Sequence, residues 1–477
     1  MDIRRSHSGF RADDALDEKS YPVAMSHQSS HSAISAGSSA GRTLIETDSH
    51  RRPNGPGAAG PGRSSPHKAD RDSLDGLTLR CRCSIPGATG VRNVRWMTIE
   101  SESRIPFGRP TVVGREFDYI ADVLRNGSMA GGGPYTQRCE EWLKAELGTH
   151  RALLTHSCTA ALEMAAILAE VGPGDEVVMP SFTFSATATA FVLRGATPVF
   201  VDIRPDTLNI DERLIEGALT PRTRAIAVVH YAGRACAMDA VMAVANARGL
   251  VVVEDAAHAH LARDGARPLG TIGHLGCLSF HETKNVIAGE GGALLVNDPR
   301  LAARAEIVRD KGTDRSRFLR GEVDKYTWQD VGSSYGPSEI VSAFLLAQLE
   351  RAAAICDERR ALCDAYRAGL APLAARGLVT LPEAAGTQTN GHIFWLLTRD
   401  EDTRNRLLAH LGARGIQATF HYVPLHSAPA GRRHGRAGSS LAVTDSVSAR
   451  LVRLPLFLNM TGGEIARVVA AVEAFYA

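Results

Sequence analysis

Seven short apolar runs, at residues 152–154, 176–179, 197–202, 225–230, 250–254, 277–280 and 292–296, are separated by stretches whose apolar residues recur at helical spacing. Those helical stretches include residues 159–170, 185–194 and 238–248. No other feature constrains the fold as tightly. Strands alternating with helices of this length produce a mostly parallel sheet covered on both faces, an α/β architecture. In such a sheet ligands bind beyond the carboxyl ends of the strands, so the residues just after each run are the ones to read for chemistry.

The flanking segments extend this organisation. Residues 116–124 carry Phe117, Ile120, Ala121, Val123 and Leu124 at helical spacing, closed by Arg125-Asn126-Gly127. A glycine loop at 131–133 precedes a second helix around 139–147. Beyond Asp298 the pattern turns helical over 299–309 and over the long stretch 338–370. Residues 375–477 mix short strands such as 393–397 with helices such as 403–411 and 463–475. The expected division is a large domain over 97–370 and a smaller C-terminal α+β domain over 371–477. Residues 1–96 are rich in Ser, Gly, Arg, Asp, His and Pro and lack any sustained period. Such a composition buries too little apolar surface to offset chain entropy, so disorder is expected there. Met97 stands immediately before the first regular pattern. A start of translation at Met97 is one hypothesis, and an intact mass showing the full chain would sink it; a genuine regulatory or partner-binding tail is the competing reading.

Composition narrows the function classes. The 477 residues carry a net charge of +2, which gives no general basic field for nucleic acid or a membrane surface. Arg4-Arg5 has no apolar segment behind it, and no run of eighteen apolar residues occurs, so neither an export signal nor a membrane span is readable. The expected location is cytoplasmic. The eight cysteines are scattered, several within apolar patterns, as suits reduced core thiols rather than a disulfide frame. Cys81 and Cys83 have no second pair at metal-ligand spacing, and no metal site is expected.

Each chemical motif falls at the end of an apolar run. The run 152–154 passes through His156-Ser157-Cys158-Thr159 into a helix, where free backbone N–H groups with the Ser157 and Thr159 hydroxyls suit a phosphate, although a plain Ser/Thr N-cap looks the same in sequence. Next, Phe182 and Phe184 follow the run 176–179; one of them could lie flat on an aromatic ring, and spacing does not choose between them. Asp255 ends the run 250–254, and a carboxylate there is costly to bury without a cation. His258 lies three residues on, as a hydrogen-bonding group or an ordinary loop histidine. Finally, Ser279 and Lys284 follow the run 277–280, with Gly289, Gly291 and Gly292 allowing a tight backbone turn. A lysine after a strand is ordinarily a solvated surface group. Paired with Asp255, it is what pyridoxal phosphate chemistry needs: an amine to hold the aldehyde as a Schiff base and a carboxylate to keep the pyridine nitrogen protonated.

At these residues the chain resembles a known family. The segments SCTAALEMA, PSFTFSATATAFVLRGATPVFVDIRPDTLNID, HYAG, VVEDAAHA, LSFHETKN, GEGGALLVND and GSSYGPSEI are similar to those of the DegT/StrS sugar-nucleotide aminotransferases, in the family's order, across residues 105–477. Within that family the likeness is greatest to the dTDP-4-amino-4,6-dideoxygalactose transaminases of enterobacterial common antigen synthesis. The resemblance implies a fold-type I pyridoxal 5'-phosphate aminotransferase acting as a homodimer. Carried over by position, Lys284 matches the Schiff-base lysine, Asp255 the pyridinium partner, His258 a position near the phenolic oxygen and Phe184 the stacking aromatic. Ser279, Cys158 and Thr159 match phosphate contacts. Ser334 stands where many members have an Asn that reaches the partner subunit's cofactor phosphate. The loop at 131–135 and the region 325–328 match segments near the sugar nucleotide.

The implied reaction is transfer of an amine from L-glutamate to a nucleotide-linked 4-keto-6-deoxyhexose, best matched by dTDP-4-dehydro-6-deoxy-D-glucose, with ping-pong kinetics. Family members that dehydrate a 3-hydroxy sugar have a histidine in place of the lysine, and Lys284 argues against that branch. Other keto sugars or cyclitols remain alternatives, and a cofactor-binding regulator without turnover is a lesser one. His421, His426 and Lys325 are candidate sugar or diphosphate contacts that could equally be structural.

Overall fold

A computed structural model describes residues 104–383 and 388–477. The expected disorder of residues 1–96, the Met97 start, Cys81 and Cys83 all lie outside the described residues. The strands are β1 (Arg151–Thr155), β2 (Glu176–Pro180), β3 (Thr197–Val201), β4 (Thr223–Val229), β5 (Val251–Asp255), β6 (Arg263–Asp264), β7 (Arg267–Pro268), β8 (Leu275–Ser279), β9 (Gly292–Val296), β10 (Trp395–Leu397), β11 (Arg436–Ala437) and β12 (Leu451–Arg453). Eight of them form one sheet in the order β1-β9-β8-β5-β4-β2-β3-β11. β9 runs antiparallel to β1 and β8, and the remaining pairings are parallel. The sheet is thus the mostly parallel, helix-covered sheet that the alternating pattern predicts.

Its residues explain why both faces are covered. β2, β8 and β9 are buried along their whole length, so their apolar side chains alternate between two cores. Leu153, Leu294 and Val296 join one apolar cluster, with the helix Cys158–Leu168, while Ala152, Leu154, Ala293 and Leu295 join another on the opposite face, with the helices Pro134–Leu147 and Glu339–Leu349. A separate cluster unites Ile105, Leu362, Tyr366 and Leu370 with Phe394, Val452 and Val468. It gathers around the two-stranded β10–β12 sheet and the C-terminal helix Gly462–Tyr476, whose Thr461–Glu464 capping box fixes its start.

Two features differ from the sequence pattern. The helical stretch 338–370 is two helices, Glu339–Leu349 and Ala352–Ala375, broken at Glu350 and Arg351. The break falls where a segment apolar all round gives way to one with a single buried stripe. The eighth strand, β11, is only two residues long and sits at the sheet edge beside β3. Arg436 fastens it there by donating to both carboxylate oxygens of Glu176, at 3.0 and 2.7 Å. Arg436, aided by Thr220 and Arg222, holds the Glu176 carboxyl down at about 2 despite its burial. The six described cysteines are free thiols. Among the described residues no helix is long and apolar enough to cross a membrane.

Candidate active site

The carboxyl ends of β1, β2, β5 and β8 deliver their motifs to one cavity of about 310 Å³, a size in the range of small-molecule sites. Ser157, Cys158, Thr159, Phe184, Asp255, His258, Ser279 and Lys284 all line it, joined by Phe107, Thr183, His392, His421, Tyr422 and Arg453. A larger cavity of about 490 Å³, lined by Arg234, Arg263, Arg360 and Arg367, contains none of these residues. Sequence positions more than a hundred residues apart are therefore brought together at the place the sheet topology requires.

The turn after β1 begins the helix Cys158–Leu168. Ser157 caps it, its Oγ accepting from the Ala160 N–H at 3.1 Å, so the first-turn N–H groups of Cys158 and Thr159 have no intrahelical acceptor. This end of the helix carries the positive side of its dipole and can hold a phosphate. Gly292, the first residue of β9, packs directly under the turn. A Cβ there would lie 2.5 Å from the Cys158 nitrogen and from the Ser157 carbonyl carbon, which is why the Gly-Glu-Gly-Gly sequence ends in glycine.

Residues 254 and 255 show what period-two geometry does to two adjacent carboxylates. Glu254 faces away from the cavity, accepting from the N–H groups of Gly270, Ile272 and Gly273 at 2.8, 2.7 and 2.5 Å and hydrogen bonding to His230 at 2.7 Å. Asp255 faces the cavity. Its Oδ2 accepts from the Thr187 hydroxyl at 2.6 Å and its Oδ1 from the Ala257 N–H at 3.1 Å. Burial pushes the Asp255 carboxyl up, while these two donors and the nearby Lys284 charge oppose the rise. Such a carboxylate is set to receive a cation.

Lys284 lines the same cavity as Asp255. Burial lowers its ammonium to about 8, against the pull of Cys158 and Asp255 and with the repulsion of Arg453, so its free amine is more accessible near neutral pH than that of an ordinary lysine. The neighbouring Asn285 fixes the backbone: its Nδ2 donates to the Asn390 carbonyl at 2.7 Å and its Oδ1 meets His392 Nδ1 at 2.9 Å. Asn390 in turn donates to the carbonyls of His258 and His260, both at 2.9 Å.

His258 belongs to a buried aromatic cluster. Its ring lies 4.6 Å from His392 and 6.0 Å from His421, and its Nε2 is 3.3 Å from the Tyr422 hydroxyl. Burial, then the charge of Lys284, pushes His258 and His392 well below the ordinary histidine range; burial, then Arg453, does so for His421. These rings are neutral hydrogen-bonding groups.

The structure separates the two phenylalanines. Phe182 is 1 % exposed and packs against Tyr231 and Tyr422, whereas Phe184 is 61 % exposed and lines the cavity. Ser334 does not line it: it is exposed and bridges to Asp310. Lys325 is also exposed, and His426 is engaged with Ser181 at 2.8 Å. The 131–135 loop is tied by Glu339, which accepts from the N–H groups of Gly133 and Tyr135 at 3.1 and 2.8 Å. Sequence reading did not single out Thr187, His392, Tyr422 or Arg453. The one local signal for Thr187 is its place in the first turn of the helix Ser185–Val192 that follows β2.

Comparisons with known proteins bear on the family and the fold. The model of the DegT/DnrJ/EryC1/StrS aminotransferase family matches residues 110–473. The GDP-perosamine synthase of Caulobacter vibrioides is 33 % identical over 375 residues, covering 78 % of this chain and 98 % of that protein. Among solved structures, the aminotransferase TlmJ of Streptoalloteichus hindustanus superposes with a TM-score of 0.72 at 29 % identity, covering 78 % of this chain and 99 % of TlmJ. Spr1654 of Streptococcus pneumoniae, solved in a PLP form, does so with a TM-score of 0.72 at 26 % identity over 78 % of this chain and 98 % of its own.

Proposed function

The chain belongs to the DegT/DnrJ/EryC1/StrS aminotransferase family and is a pyridoxal phosphate-dependent aminotransferase; from that premise we propose that it aminates a nucleotide-linked 4-keto-6-deoxyhexose. The observation that carries the reading is the convergence of Lys284, Asp255 and the Ser157–Thr159 turn on one cavity, whose lining also includes His258, His392, His421, Tyr422 and Arg453. The family relative that makes perosamine supports an amino sugar as the product class.

These residues fit the cofactor. The helix end at Cys158 and Thr159, with Ser279, would hold its phosphate, Asp255 its ring nitrogen, His258 its phenolic oxygen and Phe184 a ring face. When bound, pyridoxal phosphate supplies an aldehyde for an amine and a ring that takes up an electron pair. The protein's own part is then proton management. Lys284, whose ammonium burial lowers to about 8, would give up its proton more readily than an ordinary lysine, and its amine could remove the donor α-proton and return it one atom away. Asp255, whose ionised form is favoured by the Thr187 hydroxyl and the Ala257 N–H, would balance the positive ring nitrogen. In balance, L-glutamate and the keto sugar give 2-oxoglutarate and the amino sugar, with ping-pong kinetics.

The preferred acceptor is dTDP-4-dehydro-6-deoxy-D-glucose, giving dTDP-4-amino-4,6-dideoxy-D-galactose. The perosamine-forming relative favours a GDP-linked sugar as the second reading. We take the active unit to be a homodimer, supported by exposed apolar side chains such as Phe117, Phe184 and Trp328, the last 82 % exposed. The C-terminal region from about residue 371 is taken as a small domain, supported by an apolar cluster that it shares with Ile105 and the end of the preceding helix at Leu362, Tyr366 and Leu370. The test is incubation of the purified protein with pyridoxal phosphate, L-glutamate and each keto sugar nucleotide, read by mass spectrometry and NMR. An axial C4 amine on the dTDP sugar is the expected product. Amination of only the GDP-linked sugar would overturn the dTDP assignment, and conversion of glutamate without any sugar product would overturn the acceptor class.

A further inference from the structure

The cavity of about 490 Å³ shares no lining residue with the catalytic one, and its polar groups ask for an anion. Arg234, on the turn after β4, lines it and is only 5 % exposed. Its Nη1 donates to the Glu383 carbonyl at 2.6 Å, while its Nε is buried and takes no hydrogen-bond partner among the described residues. Among those residues it makes no ion pair; the carboxylates of Glu383 and Asp206 favour its charge only from a distance. Trp395 of β10, which lines the same cavity, holds a second unmet donor: its indole Nε1 is buried and has no partner among the described residues.

Three further guanidiniums line the cavity, each with a carboxylate partner: Arg263 with Glu146 at 3.8 Å, Arg360 with Asp357 and Arg367 with Asp364. Those carboxylates are 45, 68 and 73 % exposed. Ion pairs so open to solvent contribute about 0–1 kcal/mol, and their guanidiniums can turn to a better acceptor at little cost. Arg234 differs, because leaving a buried guanidinium without a counter-ion is costly. The charge of Arg367 adds to that cost by repelling it. An anion bound to both relieves the burial and the repulsion together. A phosphoryl group, with about two charges and three acceptor oxygens, can serve two planar forks and an indole N–H at once; a carboxylate has fewer of each. Leu261, Ile393 and Phe394 give the rest of the cavity an apolar lining that suits an organic body.

We propose that this cavity is a second ligand site, for a small molecule whose phosphoryl group is held by Arg234, with Arg367 and the Trp395 indole N–H as further donors. Among the described residues no histidine or lysine lines it, and burial pushes the Cys356 and Cys363 thiols up, so the cavity is built to bind rather than to react. Because its lining is separate from that of the catalytic cavity, it stays open when the cofactor is bound.

The test is calorimetry on the pyridoxal phosphate-loaded protein with inorganic phosphate, phenyl phosphate and benzoate, comparing wild type with Arg234→Gln and Arg367→Gln. Phenyl phosphate should bind wild type saturably, and more tightly than benzoate, which carries one charge on the same ring. Arg234→Gln should weaken phenyl phosphate about 10-fold or more, as expected for losing buried charge-assisted hydrogen bonds. Arg367→Gln, which removes a more exposed guanidinium, should weaken it about 2- to 5-fold, and carries the test if Arg234→Gln fails to fold. Inorganic phosphate as tight as phenyl phosphate assigns the site to the free ion, and tighter phenyl phosphate to an ester; both keep the phosphoryl group at Arg234. Absence of saturable phosphate binding to wild type would overturn the proposal. Equal binding by wild type and the variants would also overturn it, placing the ligand elsewhere, and benzoate binding as tightly as phenyl phosphate would overturn the choice of a phosphoryl group.

Discussion

Replacing Thr187 by valine probes how this site keeps Asp255 ionised. Two donors reach that carboxylate, the Thr187 hydroxyl at 2.6 Å and the Ala257 N–H at 3.1 Å, and they oppose the upward push of burial. Valine preserves the shape of the side chain and removes the shorter bond. A hydrogen bond to a charged group contributes about 1.5–3 kcal/mol, equivalent to about 1–2 pKa units. The sign follows from which form is favoured. Removing a donor that stabilises the anion raises the pKa, so a larger fraction of Asp255 is protonated at any given pH. Protonated Asp255 no longer balances the ring nitrogen, and the acidic limb of the rate profile should move up by about 1–2 pH units, with the alkaline plateau retained. Thr183, whose hydroxyl is 2.8 Å from that of Thr187, loses a partner too, so the Tm should fall by a few degrees. The assay is the glutamate half-reaction followed by cofactor absorbance as a function of pH. An acidic limb that stays in place would refute the reasoning, and Thr187→Ser should return it to the wild-type position.

Cofactor-free protein should take up pyridoxal phosphate with a rate that rises with pH and levels off above about 8, the pH to which burial lowers Lys284; a rate still climbing well above that would show an ordinary lysine. Gly292→Ala places a Cβ 2.5 Å from the Cys158 nitrogen and displaces the phosphate turn. Cofactor affinity should drop at least about tenfold, corresponding to 1.4 kcal/mol or more, as measured by equilibrium dialysis. Glu254→Gln puts an amide N–H₂ among the three N–H donors of Gly270, Ile272 and Gly273. A loss of about 3 kcal/mol or more is expected in denaturant unfolding, and a change below 1 kcal/mol would contradict the role given to that carboxylate.

The fold was legible because seven buried strands and their helices leave a strong periodic trace, and all seven apolar runs are strands in the sheet. The eighth strand was not, since Arg436 and Ala437 owe their place to a salt bridge with Glu176, 260 positions away. The same division holds for the site. Lys284, Asp255, Ser157, Thr159, His258 and Ser279 stand at or just after strand ends, where that rule directs the search, and Cys158 was added by the family resemblance. Spacing did not choose between Phe182 and Phe184; the resemblance pointed to Phe184, and packing against Tyr231 and Tyr422 marks Phe182 as core. Thr187, His392, Tyr422 and Arg453 reach the cavity through tertiary contacts that leave no local pattern. Adjacent Glu254 and Asp255 are alike in composition; the pleat alone turns one toward a loop and the other toward the cavity.

The central claim is that Lys284 is the residue that carries the cofactor. Borohydride reduction of the pyridoxal phosphate-loaded protein, followed by digestion and peptide mass spectrometry, tests it directly. The phosphopyridoxyl group should be found on the peptide containing Lys284, and Lys284→Ala should lose both the label and the visible absorbance. Label on another lysine, such as the exposed Lys325, or absorbance retained in Lys284→Ala, would contradict the account.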